Sequence, residues 1–364
     1  MVFNKRMIYS YKNIKKVHIE LTSRCNAACS LCARTIGDDV NPNLPMSELT
    51  LDNIKLIFQD IDFVKQLDSI HFCGNFGDPI IAKDFLKVFI FLKEINSDLK
   101  IITNTNGSIR NHKWWKLFSS FTNHNDFVIF SIDGLEDTNH IYRKNTIWNK
   151  IITNAESFIN NGGHAEWEFI VFQHNEHQIE KAKELSKNLG FKDFRIKKTS
   201  RFNRNGNIQP PTNLKYTNES FNRFINDNNF ILEKKIKFMP KENNKFYDYV
   251  NSSKILCKVQ KEKSVYISSE GYLHPCCWVG LQMYSKFYDF KGSQIWLNID
   301  SVGLENLNCI NYSIKQIIEG PYFQNIKEGW SKTVDTGKLL ICAYTCGEKY
   351  DFFSDQYINY KTGI

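Results

Sequence analysis

Six short apolar runs, each paired with a helical stripe, occupy the first 200 residues. This alternation confines the chain to a parallel sheet flanked by helices, either open or curled into a barrel. The strand-like runs are 17–21, 69–73, 100–103, 127–131, 165–172 and 194–196. Between them, Leu51, Ile54, Ile57 and Ile61 follow helical spacing, with Ser47 or Thr50 as a cap. Phe85, Val88, Phe89 and Leu92 do the same behind Asp84. Further helices are expected over 114–121 and 148–160, and a stripe from Ile179 to Leu189 stops at Gly190. Sites in such folds lie on the strand-to-helix loops at the carboxyl ends of the strands.

The first of those loops carries Cys25-Asn-Ala-Ala-Cys29-Ser-Leu-Cys32. Three thiols at this spacing fit one short loop and one metal centre, and thiolate sulfur suits iron–sulfur clusters or zinc. Three ligands leave one metal position open, as chemistry on a small molecule requires. A zinc knuckle is the alternative. It needs a fourth ligand, and the nearest histidine, His18, lies on the opposite side of the strand entry.

Composition narrows the setting. With 42% hydrophobic residues, a chain of 364 can bury a sizeable core. No apolar run reaches membrane-spanning length. Residues 1–16 are basic and polar with no signal-peptide core, so the protein is expected to be cytoplasmic. Its ten cysteines then point to metal binding or catalysis rather than disulfides. A net charge of +8 is mild, and the basic stretches at 195–204 and 254–263 read as solvated surface ahead of a nucleic-acid partner. After residue 200 the character changes. Residues 201–250 form a linker, with a helical connector over 218–238, residues 251–350 a small cysteine-bearing domain, and 351–364 a tail. A hairpin is expected around Ser269-Glu270-Gly271.

The CxxxCxxC loop after the first strand resembles the signature of the radical S-adenosylmethionine (radical SAM) superfamily. Other segments agree in order. Cys73-Gly74-Asn75-Phe76-Gly77-Asp78-Pro79 is similar to the family's GGEP-type segment, with Asn-Phe inserted and Asp for Glu. Thr105-Asn106-Gly107 resembles its TNG turn, and Ser131-Ile-Asp133-Gly134 with Arg143 its SxDG…R pattern. Taken singly, these also read as a turn, a strand end and a surface arginine. Together they imply a partial parallel (β/α)6 barrel and a [4Fe–4S] cluster on Cys25, Cys29 and Cys32. S-adenosylmethionine would chelate the fourth iron, and its cleavage would yield a 5′-deoxyadenosyl radical. The resemblance places Leu31 near the adenine, where the family often has an aromatic residue. It places Gly74, Asn75, Gly77 and Asp78 near the methionine amino group, and makes Ser131 and Arg143 candidates for the ribose and carboxylate.

Downstream, Cys257, Gly271 and Cys276 are separated by thirteen and four residues, followed by Cys342-Ala-Tyr-Thr-Cys346. This resembles the SPASM and twitch domains of the same superfamily. It implies a twitch-type α+β domain with an auxiliary [4Fe–4S] cluster on Cys257, Cys276, Cys342 and Cys346. The closing pair is CxxxC where some twitch proteins have CxxC, and Cys277 is an alternative to Cys276. A structural zinc site would use the same residues. Cys73, Cys277 and Cys309 otherwise read as buried small hydrophobes. Asp133, Glu168 and His174 are possible bases, though satisfied polar groups are commoner, and no catalytic residue is assigned.

The implied activity is a radical-initiated two-electron oxidation, a dehydrogenation or a crosslink, with the auxiliary cluster accepting an electron. A flavodoxin- or ferredoxin-type reductant is expected, with a small-molecule or peptide substrate and no membrane. With Cys25 so near residue 1, no N-terminal peptide-recognition domain is expected, which weakens the peptide reading. A radical SAM epimerase, a nucleic-acid-modifying enzyme, or a non-catalytic iron–sulfur or zinc module are the alternatives.

Overall fold

The computed structural model describes residues 10–36, 39–199, 201–202, 206–217, 245–284, 294–348 and 356–358. The connector expected over 218–238 lies outside them.

Eight strands form one open sheet: β1 (Lys16–Ile19), β2 (Ser69–Phe72), β3 (Lys100–Thr105), β4 (Phe127–Ser131), β5 (Ala165–Ile170), β6 (Asp193–Lys197), β7 (Ser264–Ile267) and β8 (Leu273–His274). Their order is β8-β7-β1-β2-β3-β4-β5-β6. Strands β3 to β6 pair in parallel, as do β1 and β7, while β8 returns antiparallel to β7. The open sheet and its α/β alternation are consistent with a partial barrel. Helices α1 (Leu51–Ile57), α2 (Ile61–Gln66), α3 (Phe85–Ile95), α4 (His112–Ser119), α5 (Trp148–Ile159) and α6 (Ile179–Asn188) alternate with the first six strands. The later chain is mostly helical: α7 (Lys245–Ser252), α8 (Lys258–Glu262), α9 (Cys277–Leu281), α10 (Gln294–Asp300), α11 (Ile314–Ile318), α12 (Pro321–Gly329) and α13 (Leu340–Cys346). Among the described residues no helix is long and apolar enough to cross a membrane.

Contacts divide the chain into two compact units. One comprises residues 1–19, 49–70 and 230–351, the other 20–48, 71–229 and 352–364. In the first unit, β7 runs beside β1, with Lys16 opposite Ser264 and Ile19 opposite Ile267. The hairpin expected in a separate C-terminal domain thus extends the sheet. An unpaired β1 edge would leave backbone donors and acceptors open, and β7, with Val265, Tyr266 and Ile267 buried, covers it. Thr50 caps α1 in a reciprocal capping box with Asn53. In the second unit, Asp84 precedes α3 without a side-chain capping bond, and its carboxylate pairs with Lys87 at 3.0 Å. Gly190, at φ +84°, ends α6.

The core of the second unit is aromatic. Trp115 on α4 lies 5.2 Å from Phe130 on β4 and 5.8 Å from Phe158 on α5, centroid to centroid. Strand β5 turns Ala165, Trp167 and Phe169 into this layer, all fully buried. Its alternate residues, Glu166 and Glu168, point to the other face. The helices therefore cover an apolar face, while the opposite face is polar. Replacing Trp115 with Ala is expected to lower unfolding free energy by about 3–5 kcal/mol, checked by urea denaturation. A loss under about 1 kcal/mol would mean that the ring is not part of this packing.

Candidate functional site

Strand β1 delivers the chain to Glu20, buried, whose Oε1 accepts from the backbone N–H groups of Phe76 (2.7 Å) and Gly77 (2.8 Å). This bond brings the loop after β2 onto the loop after β1. The room left at the glycines is used by the chain itself: a Cβ on Gly77 would collide with the Thr22 carbonyl, and one on Gly74 with the Gly77 carbonyl.

Asp78 fastens the arrangement. Its Oδ2 accepts from Thr105 Oγ1 (2.9 Å), Asn106 N (2.8 Å) and Asn106 Nδ2 (2.8 Å), and its Oδ1 from Ile80 N (3.1 Å). Its own N–H donates to Arg24 O at 2.9 Å. Burial raises the Asp78 carboxyl pKa against the pull of these donors. Asp78 therefore ties the loops that follow β1, β2 and β3.

The three thiols sit on the first of these loops. Cys32 N–H donates to Cys29 O and Thr35 N–H to Cys32 O, both at 3.1 Å, in consecutive tight turns. Thr35 Oγ1 also donates to Cys29 O at 2.7 Å. The Asn106 side-chain amide reaches Asn26 Oδ1 at 2.9 Å and Cys25 Sγ at 3.8 Å, and Asn26 Nδ2 donates to Ser108 Oγ at 2.8 Å. Arg143 Nη1 lies 4.0 Å from Cys29 Sγ. Ala27, Cys29, Tyr142, Phe172 and Ile208 form a buried apolar patch, with Cys25, Leu31 and Cys32 packed against it. Burial pushes the Cys25 thiol up, and pushes Cys29 up to about 11 although Arg143 pulls it down. Alone, these groups stay protonated at neutral pH, and a soft cation would displace the protons.

Of the other sequence candidates, Arg143 donates through Nε to Asp133 Oδ2 at 2.6 Å. Asp133 is fully buried and also accepts from Ile170 N at 2.6 Å. One edge of the arginine fork is thus held by Asp133, leaving Nη1 toward Cys29. Ser131 ends β4 in register with Glu168 of β5. Asn75 is half-buried between Gly74 and Gly77.

The polar face of the sheet carries groups that sequence reasoning did not join. Glu168 accepts from Lys197 Nζ at 2.9 Å and Tyr357 Oη at 2.5 Å. Tyr357 reaches it because residues 356–358 pair with β6: Lys198 N–H donates to Gln356 O at 2.7 Å and Ile358 N–H to Ile196 O at 3.1 Å. Arg195 pairs with Glu166. His71 on β2 contacts Asn104 Oδ1 at 2.5 Å, and burial lowers its pKa to about 4, so the ring is neutral. Only the i, i+2 alternation of charges in β5 and β6 signals this face in the sequence. His174 stacks on Phe172 at 5.3 Å, and burial lowers its pKa to about 4.

The first unit carries the second set of thiols. Cys257 immediately precedes α8, Cys276 immediately precedes α9, and Cys342 and Cys346 lie one turn apart on α13. Burial raises all three of Cys257, Cys276 and Cys342, and the neighbouring thiols add to it: Cys277, Cys342 and Cys257 for Cys276, Cys257 and Cys346 for Cys342, Cys346 for Cys257. Cys309 is raised by burial alone, with no thiol among its neighbours. Cys277 is the first residue of α9. His274, fully buried, shares a 2.8 Å bond with Tyr322 Oη.

Among the described residues, no group of three or more His, Cys, Asp or Glu side chains is already gathered to hold a metal ion. A four-iron cubane sits between its thiolates and needs a wider spacing than a single ion. The fit therefore rests on donor chemistry. At the first site, three thiols share a loop and each has an N–H directed at its sulfur, from Asn106, Arg143 and the backbone of Arg34, while Asp78 and Asp133 are occupied by other donors. That donor set fits a cluster.

Residues 19–185 match the family model described as the Radical SAM superfamily. An S-adenosylmethionine-dependent nucleotide dehydratase from Selenomonas ruminantium is 29% identical over 89 residues, 24% of this chain and 29% of that protein. The FeMo cofactor biosynthesis protein NifB from Methanocaldococcus jannaschii is 24% identical over 120 residues, 32% of this chain and 38% of that protein. The matches thus span well under half of these curated relatives. Among solved structures, Streptococcus suis SuiB superposes with a TM-score of 0.52 at 14% identity, covering 92% of this chain and 74% of its own. The protein anSMEcpe with bound AdoMet gives 0.51 at 16% identity, covering 91% and 88%. At these identities the likeness is one of fold.

The Glu168 carboxyl is held below the ordinary glutamate range by Lys197 and Tyr357, against burial. A depressed folded pKa gives stability that is present above the unfolded pKa and lost as pH falls through the folded one. Glu168→Gln is therefore expected to flatten the acid limb of a stability–pH curve. An unchanged acid limb would show that Glu168 keeps its unfolded-state pKa in the folded protein.

Proposed function

We propose that this chain, which carries a Radical SAM superfamily domain over residues 19–185, holds a [4Fe–4S] cluster through Cys25, Cys29 and Cys32 and binds S-adenosylmethionine at the remaining iron. One observation carries this reading: three thiols on a single loop at the end of β1, fastened through Asn106 and Arg143. Bound together, cluster and S-adenosylmethionine supply a 5′-deoxyadenosyl radical, which removes hydrogen from an unactivated carbon.

The chain's own groups divide the remaining work. Asn106 positions Cys25 and Arg143 positions Cys29. Leu31, Tyr142 and Phe172 keep water from the loop. With the N–H groups of Phe76, Gly77 and Asp78 bonded within the loops, the segment from Gly74 to Gly77 would offer carbonyls to the methionine amino group, Ser131 a hydroxyl to the ribose, and Arg143 its Nη edge to the carboxylate. The polar face with His71, Glu168, Lys197 and Tyr357 suits a polar substrate. Among similar proteins, the dehydratase is named for a nucleotide and SuiB is seen bound to a precursor peptide.

The second set, Cys257, Cys276, Cys342 and Cys346, is read as the ligands of an auxiliary [4Fe–4S] cluster. Cys277, which lies next to Cys276 and influences it, is the alternative ligand at that position. The net reaction is then a two-electron oxidation, a dehydrogenation or a crosslink. In such an oxidation the substrate would lose a hydrogen atom, a proton and an electron, and Cys257, Cys276, Cys342 and Cys346 would hold the electron acceptor. A flavodoxin- or ferredoxin-type donor would supply the starting electron.

Anaerobic reconstitution tests both sites. The full chain is expected to hold about eight irons, four per cubane, and the Cys25→Ala/Cys29→Ala/Cys32→Ala variant about four. With reductant and S-adenosylmethionine, the wild type should form 5′-deoxyadenosine and the triple variant none. Intact clusters without that product would end the enzyme reading. Zinc in place of iron would end the cluster reading.

A further inference from the structure

Three buried polar atoms beside the second thiol set have no hydrogen-bond partner: Tyr249 Oη, Ser253 Oγ and Trp330 Nε1. They come from α7, the residue just after it, and the residue just after α12, yet they meet in one place. Tyr249 and Trp330 pack with Cys257, Cys342 and Cys346 on a small core of Val250, Ile255 and Ala343. A Cβ built on Gly347 would lie within 2.6 Å of Tyr249 Oη and closer still to Ser253 Oγ, so both hydroxyls converge on the residue that follows Cys346. Trp330, with its indole N–H unpartnered, packs on the same small core as Cys342.

The surrounding backbone is fixed. Leu256 N–H donates to Cys346 O at 2.7 Å and Glu348 N–H to Lys254 O at 2.9 Å. Lys338, buried, closes the end of α7 by donating to the carbonyls of Val250, Asn251 and Ser253. The donors therefore sit on braced backbone.

Leaving a buried donor unmade costs about 1–3 kcal/mol each. Three such donors around three thiols need a common acceptor, and a thiol is a poor one. Sulfur atoms that carry negative charge, as cluster thiolates and sulfides do, are good ones.

We propose that Tyr249, Ser253 and Trp330 are positioning residues that donate hydrogen bonds to the sulfur atoms of a cluster held by Cys257, Cys276, Cys342 and Cys346, and so raise its reduction potential. This inference rests on the reading that those cysteines bind such a cluster. Hydrogen bonds to cluster sulfur stabilise the more negative, reduced state. The second site is thereby suited to accept an electron from a substrate.

The test uses the reconstituted Cys25→Ala/Cys29→Ala/Cys32→Ala chain, in which only the second site can hold iron. After exchange into D2O, pulsed EPR of the reduced cluster should show strongly coupled exchangeable deuterons. Their absence overturns the proposal, whatever the variants do. Trp330→Phe, Tyr249→Phe and Ser253→Ala should each keep about four irons per chain and shift the EPR-monitored midpoint potential to more negative values. An unmoved midpoint in all three, with iron retained, also overturns it. Failure of the parent chain to bind any iron would instead refute the cluster reading on which the proposal stands.

Discussion

A single buried carboxylate, Asp78, fastens the three loops that carry the candidate site. Its two oxygens accept four hydrogen bonds from the turns after β2 and β3, and its backbone N–H reaches the loop after β1. Without it, Asn106 would lose the bonds that aim its amide at Cys25. A carboxylate serves this purpose because it offers several lone pairs to donors from separate strands. Glu20 repeats the device with Phe76 and Gly77. The thiol loop contains no regular strand or helix before Thr35, so its shape comes from these anchors and from the turns at Cys29 and Cys32.

Much of the fold was legible in the sequence because strand and helix periods are local. Residues 127–131 and 165–172 read as strands from apolar content, the second ending at Ile170 in the structure, and of Ser47 and Thr50, both candidate caps, Thr50 is the one that caps α1. Gly190 was legible as a helix end because a positive φ favours glycine. Pairing between distant segments was not legible. Nothing local in residues 264–267 says that they run beside β1, and nothing in residues 356–358 says that they join β6. Asp84 looked like a cap, but its carboxylate pairs with Lys87 one turn on.

The candidate sites show the same division. Spacing was enough to single out Cys25, Cys29 and Cys32, which share one short motif, whereas Cys257, Cys276, Cys342 and Cys346 stood out only by resemblance to SPASM and twitch domains. Arg143 was legible as a carboxylate-binding fork, but its buried counter-ion Asp133, ten residues earlier, was not. Tyr249, Ser253 and Trp330 carry no motif. Only their burial without partners makes them visible. Polar residues on β5 and β6 could pass for solvent-facing ones in an antiparallel sheet, and only the paired charges Glu168–Lys197 and Glu166–Arg195 reveal an enclosed polar face.

The account's central claim is that the cluster on Cys25, Cys29 and Cys32 keeps one iron free for S-adenosylmethionine. EPR of the reduced, reconstituted chain, recorded before and after adding S-adenosylmethionine, measures this directly. The account predicts that one cluster signal changes its g-values on addition, and that the change disappears when Cys25, Cys29 and Cys32 are replaced by Ala. Spectra identical with and without S-adenosylmethionine, in protein carrying intact clusters, would contradict it.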